Sequence, residues 1–293
     1  MDLGFLLTGL LTGLREGVEA ALIVSIVLAY LAKTGNVRHF GKIWLGTALA
    51  IAVSVAVGVT LFVTIGGFEG AAEQIFEGVA MTIAAAVVTW MLFWMRRTAA
   101  NIKGQLHERV DRSLTEGSVF GLTLLAFTAV IREGIETALF LLGQATAAGT
   151  QATSTLVGAL IGLAIAAVIG YALYRGARVI NLRTFFSWTG VALIFIAAGL
   201  VSYAVHEFVE AGLITVGTSR AFDISAVLPH DPAAGPAGVV GSILRAIFGY
   251  SSTPEWITLL AWVAYVAVVL PLYLRPVGPP SATRAPEQRI AGA

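Results

Sequence analysis

The sequence predicts an all-α integral membrane protein with seven transmembrane helices. Hydrophobic residues make up 57% of the chain and charged residues only 12%, and the mean hydropathy is +0.86. These values lie outside the range of soluble domains. Seven apolar runs are each long enough for a helix to cross a bilayer, which takes about 20 residues. The predicted spans are 4–31, 42–66, 70–95, 117–146, 153–175, 185–208 and 255–274.

The first span is predicted to be a retained helix and not a cleaved signal peptide. No basic residues precede it, it is too long for a signal peptide, and it carries Arg15 where such a peptide would be uniformly apolar. The chain has no cysteine, which excludes thiol redox chemistry, iron–sulfur clusters and thiolate metal sites. A net charge of +1 gives no electrostatic basis for nucleic-acid binding.

The basic residues predict the orientation of the spans. Fourteen of the eighteen lysines and arginines fall in the loops after spans one, three and five and in the tail. Cytoplasmic loops are enriched in lysine and arginine, so the N-terminus is predicted outside and the C-terminus in the cytoplasm. The acidic residues concentrate at the opposite face, where negative charge would raise the local cation concentration. Asp2 and Glu255 are interpreted as ordinary solvated charges of that face.

Spans one to three resemble spans four to six, which indicates an internal repeat. Arg15-Glu16-Gly17-Val18-Glu19 recurs as Arg132-Glu133-Gly134-Ile135-Glu136, an offset of 117 residues, and glycines of spans two and five align at an offset of 112. Because each unit has three spans, the second copy must be inverted, as in many secondary transporters. The predicted organisation is repeat one 1–95, cytoplasmic loop 96–116, repeat two 117–210, extracytoplasmic loop 211–253, an added seventh helix 255–274 and cytoplasmic tail 275–293.

The repeated motif places ionisable side chains in the middle of two apolar spans, where they are costly and mark a transport path by default. On a helix, Glu16 and Glu19 share one face, as do Glu133 and Glu136. Four facing carboxylates form an oxygen site suited to a hard cation, including iron, calcium, magnesium or manganese. Arg15 and Arg132, each four residues before a glutamate, are predicted to balance the charge of the empty site. Buried ion pairs that merely join helices are the structural alternative.

With its two Arg-Glu-Gly-x-Glu motifs, the chain resembles the high-affinity iron permease family, the oxidase-dependent iron transporters that include the bacterial EfeU type. The resemblance covers nearly the whole chain and includes His206-Glu207-Phe208-Val209-Glu210-Ala211-Gly212 and Leu244-Arg245-Ala246-Ile247-Phe248-Gly249-Tyr250. It implies a multi-pass permease of the cytoplasmic (inner) membrane that imports iron, with the motif glutamates as iron ligands. It also implies a separate periplasmic iron-binding protein and a haem peroxidase or other oxidase as partners.

A second group of polar residues is a candidate outer relay for cations. Glu69, Glu73 and Glu77 recur every four residues at the outer end of span three. A second cluster lies at the outer end of span six and in the following loop. Its members are His206, Glu207, Glu210, Asp223, His230 and Asp231.

Three further expectations concern the loops and the tryptophans. The apolar segment Val239–Tyr250 of the long loop 211–253 is predicted to form a short re-entrant or interfacial helix, whereas 96–116 is predicted to be a solvated linker. Tryptophans near the span ends are interpreted as interface anchors and not as parts of a site. These are Trp44, Trp90, Trp94, Trp188 and Trp256.

Two other functions remain open from the residues alone. The oxygen cage does not single out iron, so a proton-coupled transporter of calcium or manganese fits it as well. A haem-bearing redox subunit is disfavoured, because only four histidines exist and only His206 lies near a span. The sequence leaves open whether iron crosses as Fe²⁺ or Fe³⁺, and whether copies assemble into a homo-oligomer.

Overall fold

The computed structural model describes residues 2–65, 70–98, 102–115, 120–176 and 182–275. Glu69 and the tail beyond residue 275 fall outside these ranges. The described chain is helical, with α-helices in all seven regions predicted as spans and two shorter ones between them. The helices are α1 Leu3–Lys33, α2 Phe40–Ile65, α3 Ala71–Thr98, α4 Ile102–Thr115, α5 Gly121–Ala148, α6 Ala152–Tyr174, α7 Leu182–Glu210, α8 Pro236–Phe248 and α9 Trp256–Leu274.

Five helical stretches within the described residues are long and apolar enough to cross a membrane. They are Val37–Thr64, Ala71–Met95, Gly121–Tyr174, Thr184–Glu210 and Trp256–Leu274. Gly121–Tyr174 contains both α5 and α6, which follow each other almost without a break. The helix α1 is of similar length but carries the first charged motif and is largely buried by its neighbours. The protein is therefore a multi-pass helical membrane protein, while the count of seven spans stays a prediction.

Glycines allow the helices of one repeat to pack tightly against those of the other. Along α1 and α6 the contacts advance in the same direction, so the two helices run parallel. A Cβ placed on Gly9 would lie 2.0 Å from the carbonyl oxygen of Thr155, and one on Gly13 would lie 2.3 Å from that of Ala159. Helix α2 packs parallel to α5 in the same manner, and α3 packs antiparallel to α7. Close backbone approach through small residues is how membrane helices gain packing energy.

The contacts of the two repeats are reciprocal. Three pairs of touching residues on α1 and α6 have counterparts on α5 and α2 at the offsets of 117 and 112 residues. The matched pairs are Gly17–Ala166 with Gly134–Ser54, Leu6–Gly158 with Thr123–Gly46, and Ala21–Gly170 with Ala138–Gly58. Such a pattern is expected of two units related by an approximate two-fold axis.

Gly158 gives the sharpest test of this packing. In an ordinary helix, Gly→Ala stabilises by about 1 kcal/mol, but a Cβ on Gly158 would lie 2.0 Å from the carbonyl oxygen of Leu6. Because backbone must move to admit it, we expect Gly158→Ala to destabilise the protein by about 2–3 kcal/mol. Thermal unfolding in detergent measures the change. Gly41→Ala, at a helical glycine with no atom within 4 Å of the added Cβ, is the control and should not lower the melting temperature. Equal melting temperatures for the two variants would contradict the packing described.

The helices that carry the motifs, α1 and α5, run antiparallel at the centre of the bundle. Phe5 of α1 packs beside Ala148 of α5, and the amide Nε2 of Gln144 donates a hydrogen bond to Thr12 Oγ1 at 2.7 Å. Further along, Leu31 of α1 packs beside Leu122 of α5. The two motifs therefore meet midway along both helices.

The prediction that 96–116 is a bare linker was wrong, because residues 102–115 form α4. Leu106 and Val110 are buried against α1 and α5, and the Tyr30 hydroxyl of α1 donates a hydrogen bond to Asp111 Oδ1 at 2.7 Å. Apolar residues spaced four apart give the segment one apolar face, and this face packs against α1 and α5. The overlooked signal was this periodicity beneath the many charges.

The prediction of a short helix in the long loop is confirmed as α8. Its end is set by Gly249, which has φ of +69° and whose backbone N–H donates to the carbonyl of Arg245, while the N–H of Tyr250 donates to the carbonyl of Leu244. This is a common left-handed helix stop that glycine adopts without strain. At the same glycine α8 touches α7, because a Cβ on Gly249 would lie 2.3 Å from the Cα of Gly199. The helix is therefore anchored in the bundle and does not lie free in the loop.

Candidate metal centre

The two motifs bring three carboxylates into one buried group. One oxygen each of Glu16, Glu19 and Glu133 lies within 4.8 Å of the other two, and each residue is at most 4% exposed. Spacing of three residues on α1 puts Glu16 and Glu19 on one face, and the antiparallel α5 supplies Glu133. Glu136, also buried, lies beside this group but does not belong to it. The sequence predicted four glutamates together, and the geometry gathers three with the fourth adjacent.

The motif arginines pair within their own helices. Arg15 is 2% exposed, donates a hydrogen bond to the Glu16 carboxylate, and places Nη2 at 2.9 Å from Glu19 Oε1 without hydrogen-bond alignment. Arg132 donates through Nε to Glu136 Oε1 at 2.9 Å. Each arginine thus contacts the glutamate four residues later in its own helix, as the spacing allows. Four glutamates and two arginines, all ionised, carry a net charge of −2.

Each motif glutamate retains one buried oxygen without a hydrogen-bond donor among the described residues. These atoms are Glu16 Oε2, Glu19 Oε1, Glu133 Oε2 and Glu136 Oε2. Buried polar atoms are nearly always satisfied, and an unsatisfied charged one is especially costly. Three of these glutamates form the group described above, and a bound cation could satisfy their free oxygens. Because all the donors are oxygens, the site suits hard cations.

The two arginines differ in their surroundings although the motifs are identical. Nη2 of the fully buried Arg15 lies 2.8 Å from Met91 Sδ on α3. Arg132 is 30% exposed and its guanidinium carbon lies 3.5 Å from the centre of the Trp94 ring, with Trp90 at 5.9 Å. This is a cation–π contact. The interpretation of Trp90 and Trp94 as interface anchors alone was incomplete, because both also contact a motif arginine.

A cavity of about 730 Å³ opens at the end of the bundle where α1 begins and α5 and α7 end. We call this cavity the vestibule. Its wall contains acidic residues, two histidines and one arginine from five parts of the chain. The ionisable residues that line it are Asp2, Glu77, His206, Glu207, Glu210, His230, Asp231, Arg245 and Glu255.

Six of the nine residues named as a candidate outer relay line this vestibule. They are Glu77, His206, Glu207, Glu210, His230 and Asp231. Glu73 does not line it, although it lies one turn from Glu77 on α3. Asp223 does not line it either. It lies on an exposed loop, where it accepts hydrogen bonds from Ser225 and is close to Arg220. Those hydrogen bonds lower the pKa of Asp223.

The interpretation of Asp2 and Glu255 as solvated charges was wrong. Asp2 is 4% exposed, caps α1 by accepting from the Gly4 N–H at 2.8 Å, and accepts from the Ser242 hydroxyl of α8 at 2.9 Å. Glu255 lies 3.3 Å from His206 Nδ1. Both roles depend on contacts from distant parts of the chain, for which the local sequence carried no signal beyond the helix-capping preference of aspartate.

Two further contacts shape the vestibule, one made by Arg245, which had no assigned role in the sequence, and one made by His230 of the predicted relay. Arg245 of α8 donates through Nε to the Tyr203 hydroxyl of α7 at 3.0 Å. Nδ1 of His230 lies 2.8 Å from the Ser252 hydroxyl. Burial, together with the nearby Arg245, lowers the pKa of His230, so its ring is neutral at pH 7 and can act as a metal ligand.

Comparison with known proteins identifies the family. The description "Iron permease FTR1 family" matches residues 6–275. Ferrous iron permease EfeU of Escherichia coli O6:H1 is 39% identical over 267 residues, covering 90% of this chain and 93% of that protein. Ferrous iron permease EfeU of Yersinia pestis is 34% identical, covering 89% and 91%. No solved structure matches. With its charged motifs paired at the centre of a helical bundle, the chain belongs to the iron permease FTR1 family.

Proposed function

We propose that the chain imports ferrous iron across the cytoplasmic membrane by way of the carboxylate group of Glu16, Glu19 and Glu133, with Glu136 as a fourth ligand. The observation that carries this proposal is the buried group of three carboxylates, with one oxygen on each of the four motif glutamates that accepts no hydrogen bond among the described residues. A divalent cation neutralises the net charge of −2 that the six ionised motif residues carry. The relatives named ferrous iron permeases supply the identity of the cation.

The arrangement of the repeats supports transport by alternating access. The reciprocal contacts of α1 with α6 and of α5 with α2 fit an inverted repeat, and such repeats carry their substrate site where the two halves meet. On one side of the carboxylates lies the vestibule. On the other side Arg132 stacks on Trp94, and Val27, Leu31, Leu122 and Val130 form an apolar barrier. The polar vestibule thus lies on one side of the carboxylates and an apolar barrier on the other, as expected when access from the two sides alternates.

The vestibule is proposed to receive the cation outside the cell membrane. Its acidic side chains draw cations toward the mouth by raising their local concentration. The distribution of lysine and arginine supports an outer N-terminus and a cytoplasmic C-terminus, and Asp2 near the N-terminus lies in the vestibule. A separate periplasmic iron-binding protein and a haem peroxidase or other oxidase are the proposed partners at this face.

A proton-coupled transporter of calcium or manganese is the second candidate. One specific observation favours it, namely that the central group contains only carboxylate oxygens, a ligand type that also suits Ca²⁺ and Mn²⁺. The haem-bearing alternative gains no support from the family, whose named members are permeases.

Uptake into proteoliposomes separates these candidates. The purified chain is reconstituted, radioactive iron is supplied with ascorbate to hold it as Fe²⁺, and unlabelled Mn²⁺ or Ca²⁺ is added in about tenfold excess. We expect protein-dependent Fe²⁺ uptake that neither competitor reduces by more than about twofold, because Irving–Williams preferences favour Fe²⁺ over Mn²⁺ at a shared site. Stronger competition by manganese or calcium would support the second candidate. Uptake no greater than in protein-free vesicles would overturn the proposal.

A further inference from the structure

A narrow passage adjoins the vestibule on the side where α1 leads toward Glu16. A second cavity of only about 10 Å³, roughly the room of one water molecule, shares Phe5, Ala147 and Tyr203 with the vestibule. It is also lined by Thr8 and Gln144. A hydrated cation is too large for this space. A cation that passes here must exchange water for ligands of the protein.

Gln144 lies at this constriction and is incompletely satisfied. It is 4% exposed, and its Nε2 donates to Thr12 Oγ1 at 2.7 Å, but Oε1 has no hydrogen-bond partner among the described residues. A buried carbonyl oxygen without a hydrogen-bond donor destabilises the fold. Stability therefore does not explain a glutamine at this position. Thr12 is fully buried one helical turn before Glu16. The amide and hydroxyl oxygens thus lie between the vestibule and the first carboxylate.

The pair has no polar counterpart in the other half of the repeat. At the offset of 117 residues, Thr12 corresponds to Ala129 and Gln144 corresponds to Val27. Val27 is 1% exposed within the apolar cluster on the far side of the carboxylates. A bond needed only to join α1 and α5 would serve equally on either side. The polar pair occurs only where the passage meets the vestibule.

We propose that Gln144 and Thr12 form a neutral oxygen relay that replaces water around the cation as it passes from the vestibule to the carboxylates. This inference rests on the proposed function. Neutral oxygens suit a relay, because they lower the dehydration barrier without trapping the ion as a carboxylate would. Gln144 is a positioning residue for passage and does not belong to the final site.

The test compares uptake with equilibrium binding in the full-length protein. Gln144→Leu removes both polar atoms at similar volume, and Thr12→Val removes one hydroxyl. We expect Fe²⁺ uptake into proteoliposomes to fall by about tenfold or more for Gln144→Leu and by about threefold for Thr12→Val. Equilibrium dialysis with iron held reduced should show the wild-type amount of bound Fe²⁺ in both variants. Thr12→Ser, which keeps the hydroxyl, should restore uptake.

The control is Thr47→Val, which removes a buried threonine hydroxyl on α2 away from both cavities; its uptake should stay within about twofold of wild type. Wild-type uptake by Gln144→Leu would overturn the relay. Loss of equilibrium binding in that variant would overturn it as well, because the residue would then support the site or the fold itself. If Gln144→Leu does not fold, the contrast between Thr12→Val and Thr12→Ser decides, and equal uptake by the two counts against the relay. A wild-type protein that binds no iron would instead reject the proposed function.

Discussion

Replacing Glu19 and Glu136 together by glutamine is expected to reduce iron uptake to the level of protein-free vesicles. Each residue presents a buried carboxylate oxygen without a protein donor, and the two come from different halves of the repeat. The double change keeps side-chain size but removes two of the four negative charges, so that the six motif residues no longer carry an excess of negative charge. Removing even an outer-shell partner typically costs 10–100-fold in metal affinity, so losing two ligands should cost at least about 100-fold. Uptake of Fe²⁺ into proteoliposomes is the measurement.

The matched control is Glu108→Gln on α4. Glu108 is exposed and lies 3.7 Å from Arg112, so the same chemical change there should leave uptake within about twofold of wild type, as for most surface substitutions. The single variants Glu16→Gln, Glu19→Gln, Glu133→Gln and Glu136→Gln should each lower uptake. A double variant with wild-type uptake would reject the carboxylate group as the site of passage.

Removing the positive charge of Arg15 is expected to be the most destabilising single change in the motifs. Arg15 is 2% exposed and contacts the carboxylates of both Glu16 and Glu19. Breaking a buried ion pair by deleting one partner costs about 3–5 kcal/mol, because the remaining charge is left in a medium of low polarity. Arg15→Met should therefore lower the thermal unfolding temperature of the detergent-solubilised protein strongly.

Arg132→Met is the informative comparison. Because Arg132 is 30% exposed, its ion pair with Glu136 is less deeply buried than those of Arg15, and we expect a loss of about 1–2 kcal/mol, including the contact with Trp94. Adding Glu16→Gln to Arg15→Met removes one orphaned charge and should recover part of the stability. Equal destabilisation by the two arginine variants, or no recovery in the double variant, would contradict this prediction. Either result would show that the burial of the arginine does not determine how much stability is lost when it is removed.

Much of this architecture follows from local sequence. Apolar runs of about 20 residues predicted every long helix to within a few residues, because a chain in hydrocarbon must satisfy its backbone internally. The spacing of Arg15, Glu16 and Glu19 also predicted which side chains share a face and which pair. Helix α4 was missed because the spacing of Leu106 and Val110 is a weaker signal than the charges around them.

What only the tertiary structure decided is the difference between two nearly identical motifs. The repeated pentapeptide predicts two equivalent halves, yet Arg15 is fully buried beside Met91 while Arg132 is 30% exposed and stacks on Trp94. Likewise, the contacts of Asp2 and Gln144 depend on α8 and on the antiparallel approach of α1 and α5. A side chain's burial and its partners are set by helices distant in sequence. The sequence by itself therefore determined the helices and the repeated motif, whereas packing determined which carboxylates meet and which polar residues line the vestibule.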